Sequence, residues 1–169
     1  MPGPKEKKVK HIMLPIQDYA TVFLENSLRD AMFVLKCTFF AGCSAGSQAH
    51  RSVLVFDHNK KLVGTLSFRD IINSLKISRK ALSEGFKYRE GVFTSLCLLQ
   101  AAKKVKEVMK PIGKVTVNVN DNILDAICLL MEENLELIPV EDKGQIVGMV
   151  RTVEIFKEVS ELVEANGFS

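Results

Sequence analysis

The chain of 169 residues has no tryptophan, two tyrosines, three histidines and four cysteines, and each scarcity removes a class of function. Cysteines 37, 43, 97 and 128 make no Cys-x-x-Cys and show no paired spacing, so neither a disulfide framework nor a zinc site is expected. Cys97 and Cys128 fall within apolar helical patterns and read as buried or partly buried free thiols. His11 and His58 stand alone and read as surface residues. There is no Gly-x-x-x-x-Gly-Lys-Ser/Thr loop and no Gly-x-Ser-x-Gly elbow, so an enzyme of either type is not expected. No apolar run is long enough for a membrane span, and the Lys-rich start from Met1 to Lys10 lacks the apolar stretch of a secretory signal. The expectation is a soluble cytoplasmic protein. A net charge of +3 is mild, and Lys5, Lys7, Lys8 and Lys10 concentrate part of it in one tail without interleaved aromatics. Neither a membrane nor a nucleic acid is therefore expected as a partner.

What the chain does have is repetition. Lys61-Leu62-Val63-Gly64-Thr65-Leu66-Ser67-Phe68-Arg69-Asp70-Ile71-Ile72 returns as Gln145-Ile146-Val147-Gly148-Met149-Val150-Arg151-Thr152-Val153-Glu154-Ile155-Phe156. Each copy reads as a strand running into a helix. Upstream, Val9-Lys10-His11-Ile12-Met13-Leu14-Pro15 returns as Val105-Lys106-Glu107-Val108-Met109-Lys110-Pro111. Between these markers, Thr21 to Leu24 reads as a strand, and Asn26-Ser27 offers cap chemistry before the helical spacing of Leu28, Ala31, Met32 and Leu35. Thr116 to Val119, Asp121-Asn122, and Ile123, Ala126, Ile127 and Leu130 repeat that plan, and Ser52 to Asp57 and Leu137 to Asp142 read as matching strands. The unit is β-α-β-β-α. With 47% apolar and 25% charged residues, the chain can fill two small cores. The predicted organisation is one repeat over 9–76, a linker with a connecting helix over 77–104, and a second repeat over 105–163. In the connector, Val92, Leu96, Leu99 and Lys103 begin a helix-like pattern. Cys37 to Arg51 stands where the second copy has only Glu132 to Leu135, and this longer segment reads either as a small-residue loop at a ligand's edge or as a helix extension followed by a surface loop. Val159, Leu162 and Val163 lie late in the last helix, where they meet either a partner subunit or the chain's own core.

The paired Val-Lys-x-Ile/Val-Met-x-Pro openings, the strands Val53 to Asp57 and Leu137 to Glu141, and the Leu/Ile-Val-Gly segments resemble a tandem of cystathionine β-synthase (CBS) domains, the Bateman module. The resemblance implies an α/β (α+β) fold of two pseudo-twofold-related β-α-β-β-α repeats packed through their sheets. It also implies clefts between the repeats that hold an adenine nucleotide (AMP, ADP or ATP) as a regulatory ligand, a homodimer, and an unidentified effector protein. Other adenosyl ligands of such pairs are S-adenosylmethionine and NAD. The alternative is a structural or dimerisation scaffold that binds no nucleotide.

Gly64-Thr65-Leu66-Ser67-Phe68-Arg69-Asp70 is similar to that family's ribose motif, Gly-apolar-x-Ser/Thr-x-x-Asp, apart from polar Thr65. A carboxylate can accept hydrogen bonds from both hydroxyls of a ribose, so Ser67 and Asp70 are the candidate ribose residues. The same spacing is also close to the Ser-x-x-Glu box that caps helices, and the two roles are compatible. In the second copy the pair becomes Arg151 and Glu154, which leaves Met149 and Glu154 in a degenerate second site. By position, the resemblance implies Leu14, Ala20, Thr21, Val53 and Thr65 around adenine and His50, Arg51 and Arg151 near phosphate.

Overall fold

Both repeats fold in the β-α-β-β-α order that their periodicity predicts. The structure is a computed structural model that describes residues 6–40, 51–81 and 90–167. Its elements are β1 (Leu14–Pro15), β2 (Thr21–Phe23), α1 (Leu28–Phe40), β3 (Ser52–Phe56), β4 (Leu62–Ser67), α2 (Phe68–Ser74) and the single turn α3 (Arg79–Ala81). They continue as α4 (Val92–Ala101), β5 (Lys110–Pro111), β6 (Val117–Asn118), α5 (Ile123–Glu132), β7 (Leu137–Asp142), β8 (Gln145–Arg151) and α6 (Thr152–Gly167). Two compact units emerge. The central unit spans Tyr19–Ile112, and the terminal unit combines the described residues up to Asp18 with those from Gly113 onward.

Each unit holds one four-stranded sheet, ordered β2-β3-β4-β5 in the central unit and β6-β7-β8-β1 in the terminal one. The first pair is parallel and the other two are antiparallel in both. Even the irregularities correspond, with a bulge between Val55 and Phe56 and another between Val140 and Glu141. In the central unit Val22, Val53, Val55 and Leu66 meet Leu28, Ala31 and Leu35 of α1. Fully burying each leucine of this kind contributes about 1.5–3 kcal/mol. In the terminal unit Val117, Ile138, Val140 and Val150 meet Ala126 and Leu130 of α5. The residues between these core positions along each strand face the other side of the sheet, because strand side chains alternate.

Strands β1 and β5 are the feature that periodicity did not foretell. Strand β1, in the opening of the first sequence repeat, pairs with β8 of the second, and β5, in the opening of the second, pairs with β4 of the first. The two openings are thus exchanged between units. Proline ends each short strand, which is tolerated because both lie at sheet edges where one backbone N–H needs no strand partner. The exchange also explains the paired motifs. A Cβ at Gly64 would lie 2.6 Å from the Lys110 carbonyl oxygen and 2.7 Å from Met109 Sδ. At Gly148 it would lie 2.7 Å from the Leu14 oxygen and 3.1 Å from Met13 Sδ. Each Met-x-Pro opening therefore closes over the glycine of the other copy, and only a residue without a side chain admits the edge strand so closely.

Several surface assignments differ from expectation. Cys128 is exposed, not buried, because the buried stripe of α5 runs through Ala126 and Leu130, and a position midway between them points away. Cys37 is also exposed and Cys97 partly so, whereas Cys43 lies outside the described residues. Helix α4 exists, but it buries Gln100 and Ala101 while Leu99 is 63% exposed. Its sequence is apolar on every side, so spacing could not select the inner face. Of the insertion, Cys37 to Phe40 continue α1, and residues 41–50 lie outside the described residues. On α6 the apolar residues Val153, Phe156, Val159, Leu162 and Val163 are all exposed, so they do not join the chain's own core. Among the described residues, no helix is long and apolar enough to cross a membrane.

Candidate functional site

Strand β4 ends at Ser67, whose extended backbone (φ −107°, ψ 167°) makes it the N-cap of α2. The Asp70 backbone N–H donates to Ser67 Oγ at 3.2 Å. In return, Ser67 donates to Asp70 Oδ2 from its backbone N–H at 2.8 Å and from its hydroxyl at 2.7 Å. Oδ2 takes both bonds. Oδ1 accepts none among the described residues, although Asp70 is only 7% exposed.

The same cap occurs where no ligand is implied. Ser27 donates to Asp30 Oδ2 through its backbone at 3.2 Å and its hydroxyl at 2.8 Å, ahead of α1. These bonds hold the Asp30 carboxyl below the usual carboxylate range, the Ser27 hydroxyl contributing most. Asn122 and Asp125 close α5 in a related way, with the Asn122 N–H 3.1 Å from Asp125 Oδ2. Asp30 and Asp125 are exposed, and among the three aspartates only Asp70 is buried.

Sheet register decides which other candidates share this corner. Ser52 pairs with Ser67, and the Phe68 N–H donates to the Arg51 carbonyl at 3.3 Å, so exposed Arg51 flanks the cap. Thr21, Leu54, Thr65 and Lys110 form one row across all four strands. This row lies on the face away from α1, as does Ser67, two residues beyond Thr65. Ala20 adjoins it, its carbonyl accepting from the Leu54 N–H at 3.0 Å. Val53, by contrast, is fully buried in the core on the α1 side. Leu14 belongs to the terminal unit, where it pairs with Met149. His50 lies outside the described residues.

Lys110 is the residue that reading the sequence missed. A signal was present, since the openings align Lys110 with Leu14, but its meaning depends on β5 lying beside Thr65. The corresponding pair in the terminal unit is the apolar Met149 and Leu14. At the end of β8, Arg151 and Glu154 replace the serine and aspartate. Arg151 Nε donates to Glu154 Oε2 at 2.9 Å and to Oε1 at 3.1 Å, Nη2 also meets Oε1, and the backbone N–H reaches Oε2 at 3.1 Å. Among the described residues, no cluster of three or more His, Cys, Asp and Glu could hold a metal ion.

A family model described as "CBS domain" matches residues 9–77 and 105–161. The chain belongs to the CBS domain family. The solved structure of CBSX2, a CBS-pair protein from Arabidopsis thaliana, is 22% identical with a TM-score of 0.66, covering 95% of this chain and 99% of that one. A structure of CBSX2 in complex with AMP is 22% identical with a TM-score of 0.61, covering 92% and 97%. A CBS domain-containing protein of unknown function from Bacillus anthracis is 20% identical with a TM-score of 0.64, covering 92% and 94%. No curated protein matches the sequence at a significant level. At 20–22% identity these likenesses carry the fold alone.

A further apolar feature lies on the helix side of the central unit. A cavity of about 370 Å³ between α1 and α2 is lined by residues that include Met32, Leu35, Phe40, Phe68 and Ile72. Phe39 supports it, its ring 5.1 Å from that of Phe68 in an edge-to-face arrangement.

Proposed function

We propose that this CBS pair is a regulatory module that binds an adenine nucleotide at the β4–α2 corner and does not itself catalyse a reaction. Asp70 carries the reading. A helix cap needs one carboxylate oxygen and works at the surface, as Asp30 and Asp125 demonstrate in the same chain. Asp70 differs in that the residue is buried while Oδ1 is free of hydrogen bonds within the described residues and open to a donor from outside the chain. A ribose diol supplies such donors, and Ser67 lies beside it as an additional hydroxyl. Arg51 and Lys110 provide cations for the phosphates, and Ala20, Thr21 and Thr65 provide wall and backbone groups for adenine. The AMP complex of CBSX2 supports the choice of ligand class.

Calorimetry with AMP, ADP, ATP, NAD and S-adenosylmethionine tests this reading. Asp70→Asn keeps the shape and removes the charge, so affinity falls by about 1 to 3 kcal/mol, or roughly 5- to 150-fold. Unchanged affinity in Asp70→Asn, or no binding by the parent at millimolar ligand, would leave Asp70 a cap alone.

Assembly is the second part of the proposal. The exposed apolar stripe of α6 and the lined cavity beside α1 and α2 favour a homodimer formed through helix faces, with nucleotide occupancy passed to a separate effector protein. The same faces favour the scaffold reading should nucleotide binding fail.

A further inference from the structure

The two copies of the strand-to-helix corner differ in what satisfies the carboxylate. At β4–α2 one oxygen of Asp70 is used and the other accepts no hydrogen bond among the described residues. At β8–α6 both oxygens of Glu154 are engaged, and all the donors come from Arg151. The pair is well shielded, with the side chain of Arg151 12% exposed and that of Glu154 9% exposed.

A ribose diol offers a carboxylate two O–H donors from adjacent carbons. The guanidinium edge of Arg151 offers Glu154 two N–H donors, from Nε and Nη2, in a comparable planar fork. We propose that Arg151 is an intramolecular occupant of the second ribose motif, holding Glu154 as a nucleotide's ribose would and so restricting the chain to one adenosine ligand. A tethered donor three residues away has an effective concentration at or above the millimolar range, so a free nucleotide competes poorly with it. Arg151 is thus assigned to Glu154 rather than to a ligand's phosphate, and it acts as a positioning residue that sets the number of sites. This inference rests on the proposed ribose role of the motif, and it explains why the acidic residue persists in the second copy without acting there.

Replacing Arg151 by serine tests it, since the smaller side chain removes the guanidinium but leaves a hydroxyl able to donate to Glu154. Serine at this N-cap position can accept from the Glu154 backbone N–H, completing a Ser-x-x-Glu capping box at the start of α6. AMP is titrated calorimetrically to millimolar concentration into the parent, Arg151→Ser, Asp70→Asn, the Asp70→Asn/Arg151→Ser double variant and Arg151→Ser/Glu154→Gln. Arg151→Ser should gain a second equivalent of AMP, and the double variant should recover binding that Asp70→Asn lost. The gained site should be about 5- to 150-fold weaker in Arg151→Ser/Glu154→Gln. If the parent binds no AMP but Arg151→Ser does, the latch stands and the β4–α2 reading falls. If Arg151→Ser binds no more than the parent while its circular dichroism and melting remain native, the latch is wrong. Arg151→Thr serves as the second variant, and unfolding of both would assign Arg151 a purely structural role and overturn the proposal.

Discussion

Replacing Gly64 by alanine tests the exchange of edge strands directly. The new methyl group would sit 2.6 Å from the Lys110 carbonyl oxygen and 2.7 Å from Met109 Sδ, both well inside ordinary contact. A thioether can swing aside, but the carbonyl belongs to β5, which is held to β4 through the Gly64–Pro111 and Thr65–Lys110 pairs and a 3.0 Å bond from the Ile112 N–H to the Val63 carbonyl. The strand must shift or detach. Overpacking of this kind costs about 1–3 kcal/mol, which corresponds to a fall in Tm of about 2 to 12 °C for a chain of this size. Urea unfolding followed by circular dichroism measures the loss as a lower midpoint. Adding Met109→Ala should recover only part of it, since the carbonyl clash remains. A stability within about 0.5 kcal/mol of the parent would refute the argument that the glycine is required by the exchanged strand.

Asp30 titrates below the ordinary carboxylate range because of its bonds from Ser27, so its contribution is present above the unfolded pKa and is lost as pH falls through the lower folded value. Asp30→Asn should therefore destabilise the chain at neutral pH, and the difference from the parent should shrink as pH falls below the ordinary carboxylate value and through the lowered folded one, a trend that urea midpoints at neutral and acid pH would check. For assembly, Phe156 is 70% exposed on the α6 stripe, and Phe156→Asp should convert a species of twice the 18.9 kDa chain mass into a monomer by sedimentation; a parent already monomeric at micromolar concentration would contradict the dimer.

The regular elements were legible because their signals are local. Leu28, Ala31 and Leu35 recur at helical spacing and are buried on α1, and the alternation of β4 from Leu62 to Ser67 appears directly in its burial. The two residues of β1 and of β5, each ending in proline, show no period to detect. Leu14–Pro15 and Lys110–Pro111 could be recognised as repeated motifs, but their partners lie far along the chain and are chosen by backbone fit at Gly148 and Gly64. For the same reason sequence position sets Leu14 near Thr65, although sheet pairing places Lys110 there and gives Leu14 to Met149. Helix α4 illustrates a different limit, since Phe93, Leu98 and Leu99 are exposed while polar Gln100 is buried, the reverse of what hydropathy alone assigns.

Spacing also left Ser67 and Asp70 ambiguous for a physical reason. Three helices of this chain use a polar residue and an aspartate three positions later as reciprocal caps, so the hydrogen bonds alone cannot separate a cap from a ligand site. The differences lie beyond the motif. Asp30 and Asp125 remain at the surface, whereas Asp70 is buried at the β4–α2 corner, where Ser52 pairs with Ser67 and the Arg51 carbonyl accepts from the Phe68 N–H. At α6 the corresponding acid is sheltered too, but Arg151 supplies its charge partner from within the chain. A carboxylate shielded from water is stabilised by donors close at hand, and the two corners differ in where those donors come from. In the terminal unit the chain provides them, whereas Asp70 Oδ1 in the central unit accepts no hydrogen bond among the described residues, which is the difference that the proposed nucleotide site would use.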